Sequence, residues 1–141
     1  MKILIICSKK FYDKISSIKE VLEKNGNEVF LPNCYDNPNT EYEMQTLGKE
    51  EHMKFKAAMF RKSEETILKM DAVLVLNFDK EKNGELFKNY IGGATFLEMY
   101  DAFRMNKIIY MYNDIPEGIL RDEIIGFNPK IIFGDLSKIN K

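Results

Sequence analysis

Glu98 is the residue of this chain best placed to do chemistry. It closes the stretch Asn89-Tyr90-Ile91-Gly92-Gly93-Ala94-Thr95-Phe96-Leu97-Glu98, downstream of the apolar run Ala72-Val73-Leu74-Val75-Leu76. The order is a buried strand, a polar loop, a paired-glycine turn, and a helix with a carboxylate in its first turns. Glycines at such a turn let backbone N–H groups come close to an anion, and a helix N-terminus favours negative charge. A carboxylate near that end is favoured in its ionised form, which suits a nucleophile or an electrostatic partner for a developing cation. The same residues admit a second reading. Thr95-Phe96-Leu97-Glu98 has the spacing of a capping box, in which the glutamate folds back onto the Thr95 N–H. The Gly92-Gly93 pair speaks for chemistry, because a simple cap needs no paired glycine.

Asn77 and Asp79 leave the same strand at its carboxyl end. A second carboxylate opposite the first is what glycosidic chemistry requires, one as nucleophile and one to manage the leaving base. Taken alone, Asp79 also fits a solvated loop. Ser8 follows the first apolar run and can bind a phosphate or a ribose hydroxyl, or cap a turn. Tyr12 and Tyr90 can stack on a base or touch a sugar, and either can equally be packing. Asn113 and Asp114 end a later strand and can reach the same edge. His52 is the only histidine and lies in a long helical stretch, so Ser-His-Asp and Cys-His schemes have little support. Cys7 and Cys34 match no metal or redox spacing, so neither a metal nor a redox cofactor is implied.

The elements that must position these groups read off the periodicity. Lys2–Cys7 is an apolar run and a central strand. Phe11–Glu23 carries a helical stripe of Ile15, Ile18, Val21 and Leu22, ended by Asn25-Gly26-Asn27. Glu28–Leu31 is a short strand stopped by Pro32. Asn33 to Gly48 is polar and aperiodic, either disordered or a functional lid. Lys49–Lys69 is a long helix with Met53, Ala57, Phe60, Glu64, Ile67 and Leu68 along one side. Asp71–Leu76 is the third strand, Phe78–Asn89 a charged loop, Thr95–Met105 a helix and Lys107–Met111 the fourth strand. Pro116–Ile125 is a short helix with proline in its first turn. Lys130–Phe133 is the last strand, and Leu136–Asn140 a helical tail.

Strands alternate with helices throughout, so the expected architecture is α/β. It is a single-domain flavodoxin-like (Rossmann-like) three-layer sandwich over residues 1–141, with a mostly parallel five-stranded sheet. No GxGxxG or Walker A motif is present, and the turn after strand one lacks the glycines of a flavodoxin phosphate loop and the acidic pair of a receiver domain.

Composition narrows the partners. The formal net charge is −1 and Lys and Arg are dispersed, which argues against binding a nucleic acid polymer or an anionic membrane. No apolar run approaches the roughly 20 residues that span a bilayer. Lys2-Ile3-Leu4-Ile5-Ile6 is too short for a signal peptide and is followed by Lys9-Lys10. A reduced, cytoplasmic protein is the expectation.

The residues quoted above resemble the nucleoside 2-deoxyribosyltransferase superfamily, which includes deoxynucleoside 5′-monophosphate N-glycosidases. The resemblance covers Met1–Ser8, Ile67–Asn77, Asn89–Ala102 and Lys107–Tyr110, and is nearest to a branch with Tyr-Ile-Gly-Gly before a Thr-x-x-Glu helix. It implies that Glu98 attacks the anomeric carbon and that Asp79 corresponds to the carboxylate after the third strand. The chain has Gly92 where the family pattern has aspartate, Tyr100 where it has glycine, and Cys7 where strand one ends in glycine. The missing aspartate points to hydrolysis or a changed substrate. The resemblance thus implies cleavage or transfer of the N-glycosidic bond of a small-molecule nucleoside or nucleotide, with Ser8 and the Gly92-Gly93 amides holding the 5′ end. It also implies a homodimer or higher homo-oligomer that completes its sites between subunits. The apolar residues around more than one face of the long helix suggest a partner independently. A non-catalytic nucleotide-binding module, or an inactive scaffold that oligomerises through that helix, is the rival expectation.

Overall fold

The computed structural model describes residues 1–140. β1 (Lys2–Ile6) is buried on both faces after Lys2, and its side chains alternate between two cores. Ile3 and Ile5 pack with Phe11, Ile15, Ile18 and Leu22. Leu4 and Ile6 pack on the opposite side with Ile67, Met99, Ala102 and Ile124. A strand buried on both sides needs helices on both sides, and the chain supplies them. A 3-10 turn (Lys9–Lys14) leads into α1 (Ile15–Lys24) on the first face. The expected helix from Phe11 therefore opens with a tighter turn, capped by the Ser8 hydroxyl accepting from the Lys10 N–H at 3.3 Å.

After β2 (Glu28–Phe30) come α2 (Thr40–Leu47) and α3 (Lys49–Leu68). Residues 33–48 thus contain a helix that the aperiodic sequence concealed. Gly48 alone joins the two helices, at φ 136°, a backbone conformation that disfavours side chains. β3 (Ala72–Val75) follows, every residue buried. The expected charged loop is instead a hairpin, β4 (Lys80–Lys82) paired antiparallel with β5 (Glu85–Phe87). Asn83 and Gly84 turn it with positive φ at both positions, as a tight hairpin demands.

α4 (Gly93–Arg104), β6 (Ile108–Met111), α5 (Arg121–Phe127), β7 (Lys130–Ile131) and a final 3-10 turn (Leu136–Lys138) complete the fold. α4 begins two residues before Thr95. α5 begins beyond Pro116, which is buried in the preceding loop rather than set in the helix's first turn. α3, α4 and α5 all contribute to the second core. The α3 stripe also differs from expectation. Ser63 and Ile67 are its buried residues, while Met53, Phe60 and Leu68 face outward.

The main sheet has the order β2-β1-β3-β6-β7, with every neighbouring pair parallel. This is the flavodoxin-like doubly wound order, and helices on both faces make three layers. The order reverses between β1 and β3. Loops from those two strands leave in opposite directions and open a crevice at their carboxyl ends, where such sheets bind ligands.

Candidate functional site

That crevice holds a cavity of about 270 Å3. Its floor is built by the segments leaving three adjacent strands: Cys7, Ser8 and Lys9 after β1, Asn33 and Cys34 after β2, and Gly92 to Thr95 on the path from β3 into α4. The roof comes from Glu41 of α2 and from Lys56, Met59 and Ser63 of α3. α3 presents these at helical spacing, so the stripe that ends as core at Ile67 begins as cavity wall.

The glycine pair is not explained by the protein's own atoms. Gly92 lies at φ −81°, extended backbone open to any residue, and caps α4 without a side-chain hydrogen bond. A Cβ on Gly92 would come no nearer than 3.5 Å to the Tyr90 hydroxyl and 3.6 Å to its ring, and one on Gly93 would meet nothing within 4 Å. Neither strain nor crowding requires glycine there. What the pair does is leave the first turn of α4 bare on the cavity wall, with its N–H groups aimed outward along the helix axis. Lys9 and Lys56 line the same space.

Glu98 lies in the second turn of α4 and lines the cavity. Its Oε2 accepts a hydrogen bond from the Ser63 hydroxyl at 3.0 Å. The capping-box reading fails because the helix starts at Gly93 and Thr95 is already inside it, buried. The expectation of a carboxylate favoured in its ionised form is also corrected. Burial pushes the Glu98 carboxyl up to about 7, and nearby Asp101 adds to the rise, while Ser63 and Lys56 pull against it. The helix end is too far for its dipole to win against desolvation. Burial, with Glu98 close by, likewise pushes the Cys7 thiol up to about 12, so it stays protonated and a poor nucleophile. The Tyr12 hydroxyl is raised by burial first and by Cys7, Cys34 and Glu98 after it.

Ser8, Tyr12, Gly92, Gly93 and Glu98 meet in this cavity. Asn77, Asp79, Tyr90 and Asn113 do not line it. Asn77 is fully buried and clamps β3 to the end of β6. Its amide donates to the carbonyls of Asn113 (3.0 Å) and Asp114 (2.9 Å) and accepts from the Asn113 N–H at 2.8 Å. The Asn113 amide returns a bond to the Asn77 carbonyl at 3.1 Å. Asp79 is exposed and accepts from the Asn89 N–H at 3.0 Å. Tyr90 packs against Phe87, with Lys80 over its ring.

The second carboxylate on the cavity wall is Glu41, held by His52 at 3.0 Å and Lys56 at 3.4 Å. Desolvation pushes its carboxyl up, but those two partners outweigh it and hold the carboxyl below the usual carboxylate range. Glu41, Lys56, Asn33 and Ser63 are the site residues that sequence reasoning missed. Only Ser63 left a signal, as a hydroxyl spaced between Met59 and Ile67 on an otherwise apolar stripe. Among the described residues no cluster of three or more His, Cys, Asp and Glu could hold a metal ion. None of their helices is long and apolar enough to cross a membrane.

No protein-family model matches this sequence, and no curated protein matches it at a significant level.

Proposed function

We propose that this protein cleaves or transfers the N-glycosidic bond of a nucleoside or nucleoside 5′-monophosphate, with Glu98 as nucleophile, and works as a homo-oligomer. The observation that carries this reading is a half-buried, hydrogen-bonded glutamate facing a cavity at the switch point of a doubly wound sheet, beside an uncovered helix N-terminus. The resemblance of the Gly-Gly and Thr-x-x-Glu segment to the deoxyribosyltransferases supports the same chemistry.

In this scheme the free oxygen of Glu98 forms a bond to C1′ as the bond from C1′ to the base nitrogen breaks. The electron pair of that bond leaves with the base nitrogen, which takes a proton from water. Water, or a second base, then attacks C1′ and releases the carboxylate. The bare first turn of α4, Ser8 and Lys9 suit the 5′ end of the substrate, a phosphate above all. Asp79 lies away from this space, so water handles the proton on the leaving base.

The test is to incubate the protein with a panel of nucleosides and their 5′-monophosphates and separate free base by chromatography, with Glu98→Ala as control. Base released by the wild type and not by the control is expected. Calorimetric binding without base release would replace the reading with a nucleotide-binding module, and neither binding nor release would reject both.

A further inference from the structure

Ser63 is a buried hydroxyl in the middle of α3, and its bonding has a fixed polarity. The Asn33 amide nitrogen sits 2.8 Å from Ser63 Oγ and 3.2 Å from the Met59 carbonyl. A carbonyl only accepts, so the group facing it is the NH2 of Asn33, which only donates. Ser63 Oγ must then accept from Asn33. A helical serine would ordinarily turn its proton back to the carbonyl four residues earlier. Here that carbonyl belongs to Met59, which serves the helix and Asn33 together. The one acceptor left for the Ser63 proton is Glu98 Oε2, at 3.0 Å. Asn33 is itself held, its backbone carbonyl accepting from the Tyr12 hydroxyl at 3.0 Å.

We propose that Ser63, oriented by Asn33, is the positioning residue of the site: it occupies Oε2, stabilises the carboxylate form and leaves Oε1 as the oxygen that faces substrate. The chain runs one way, Asn33 to Ser63 to Glu98, and cannot reverse without breaking the Met59 bond. It offsets part of the burial that would otherwise keep Glu98 protonated. The other titratable groups around Glu98 are Lys56 of α3, Asp101 of α4, Glu41 of α2, Cys7 after β1 and Tyr12 of the 3-10 turn. Glu64 and Asp101 flank a second opening beside Glu98. Of all these only Ser63 bonds the carboxylate. The catalytic half of the inference rests on Glu98 being the nucleophile; the ionisation half does not.

The experiment is a carbon-13 NMR titration of the glutamate carboxyls in the free protein, with Glu98 assigned by its loss in Glu98→Gln. A hydrogen bond to a charged group typically shifts a titration by about one pH unit, so Ser63→Ala raises the Glu98 midpoint by about that much. Asn33→Asp reverses the polarity, because its carboxylate draws the Ser63 proton away, and raises the midpoint at least as far. In Ser63→Ala/Asn33→Asp the rise is smaller than the sum of the two, since only the added charge remains. Circular dichroism checks that each variant is folded, and Ser63→Cys, which opens no space but is a much weaker donor, raises the midpoint as well and decides if Ser63→Ala does not fold. An unchanged Glu98 midpoint in either folded variant overturns the proposal. Base release supplies the separate readout. If it occurs, its acidic limb moves up with the midpoint, and kcat falls while KM holds. If no base is released, the functional reading fails while the titration still decides the role of Ser63.

Discussion

Burial holds the Glu98 proton to about pH 7, where an unstructured glutamate releases it near 4.5. The folded state therefore gains from this group fully below pH 4.5 and loses that gain as the pH rises to about 7. Above that, keeping the carboxylate buried costs up to about 3 kcal/mol. Glu98→Gln removes the charge but keeps an oxygen for Ser63. It is expected to melt higher than the wild type at pH 8 and no higher at pH 5, as scanning calorimetry would show; equal melting at both would mean the carboxylate is better solvated than its surroundings imply. In the proposed reaction the nucleophile must be ionised, so base release is expected to climb about tenfold per pH unit and level off above pH 7. A rate independent of pH from 5 to 8 would exclude Glu98 as the group that reacts. Glu98 was legible in the sequence because a strand, a glycine turn and a helix mark it locally. Ser63 and Asn33 were not, because their partners lie 35 and 30 residues away and only the folded chain brings them together.

At the level of elements, the central strands and their parallel sheet were readable because β1 and β3 are unbroken apolar runs between clear helical stretches. The hairpin was missed although Asn83-Gly84 is a strong turn signal, because Lys80–Lys82 and Glu85–Phe87 carry no apolar alternation. α2 was missed for a related reason: it buries no residue, so there is no stripe to see. Its attachment is largely polar, through Glu41 to His52 and Lys56, and its amides are expected to exchange with deuterium well before those of β1 and β3. Protection equal to the central strands would show a packing role for α2. Asn77 was read as a site candidate and is a structural clamp. Asn77→Ala strips three side-chain hydrogen bonds from a buried junction and is expected to cost about 2–4 kcal/mol by chemical denaturation. Gly93→Ala is the complementary case: its Cβ has room, a helix gains up to about 1 kcal/mol from the exchange, and any loss of nucleotide affinity would then come from the ligand.

On the molecular scale, α3 and α4 pack side by side and expose Phe60, Leu97 and Tyr100 around one opening. In the homo-oligomer proposed above, this face would meet a second copy of the chain across a two-fold axis. Light scattering at micromolar concentration is expected to give at least twice 16.5 kDa; the single-chain mass would reject the oligomer, and Phe60→Lys should lower the mass if the face is right. The sheet itself offers no such route. Its outer strands are β2, of three residues, and β7, of two, so an incoming strand finds only two or three rungs to bind. Edges this short do not template fibrils or sheet-to-sheet aggregates. Concentrated solutions of this protein should therefore fail, if they fail, by reversible clustering of helix faces, which dilution undoes, rather than by the irreversible growth of stacked strands.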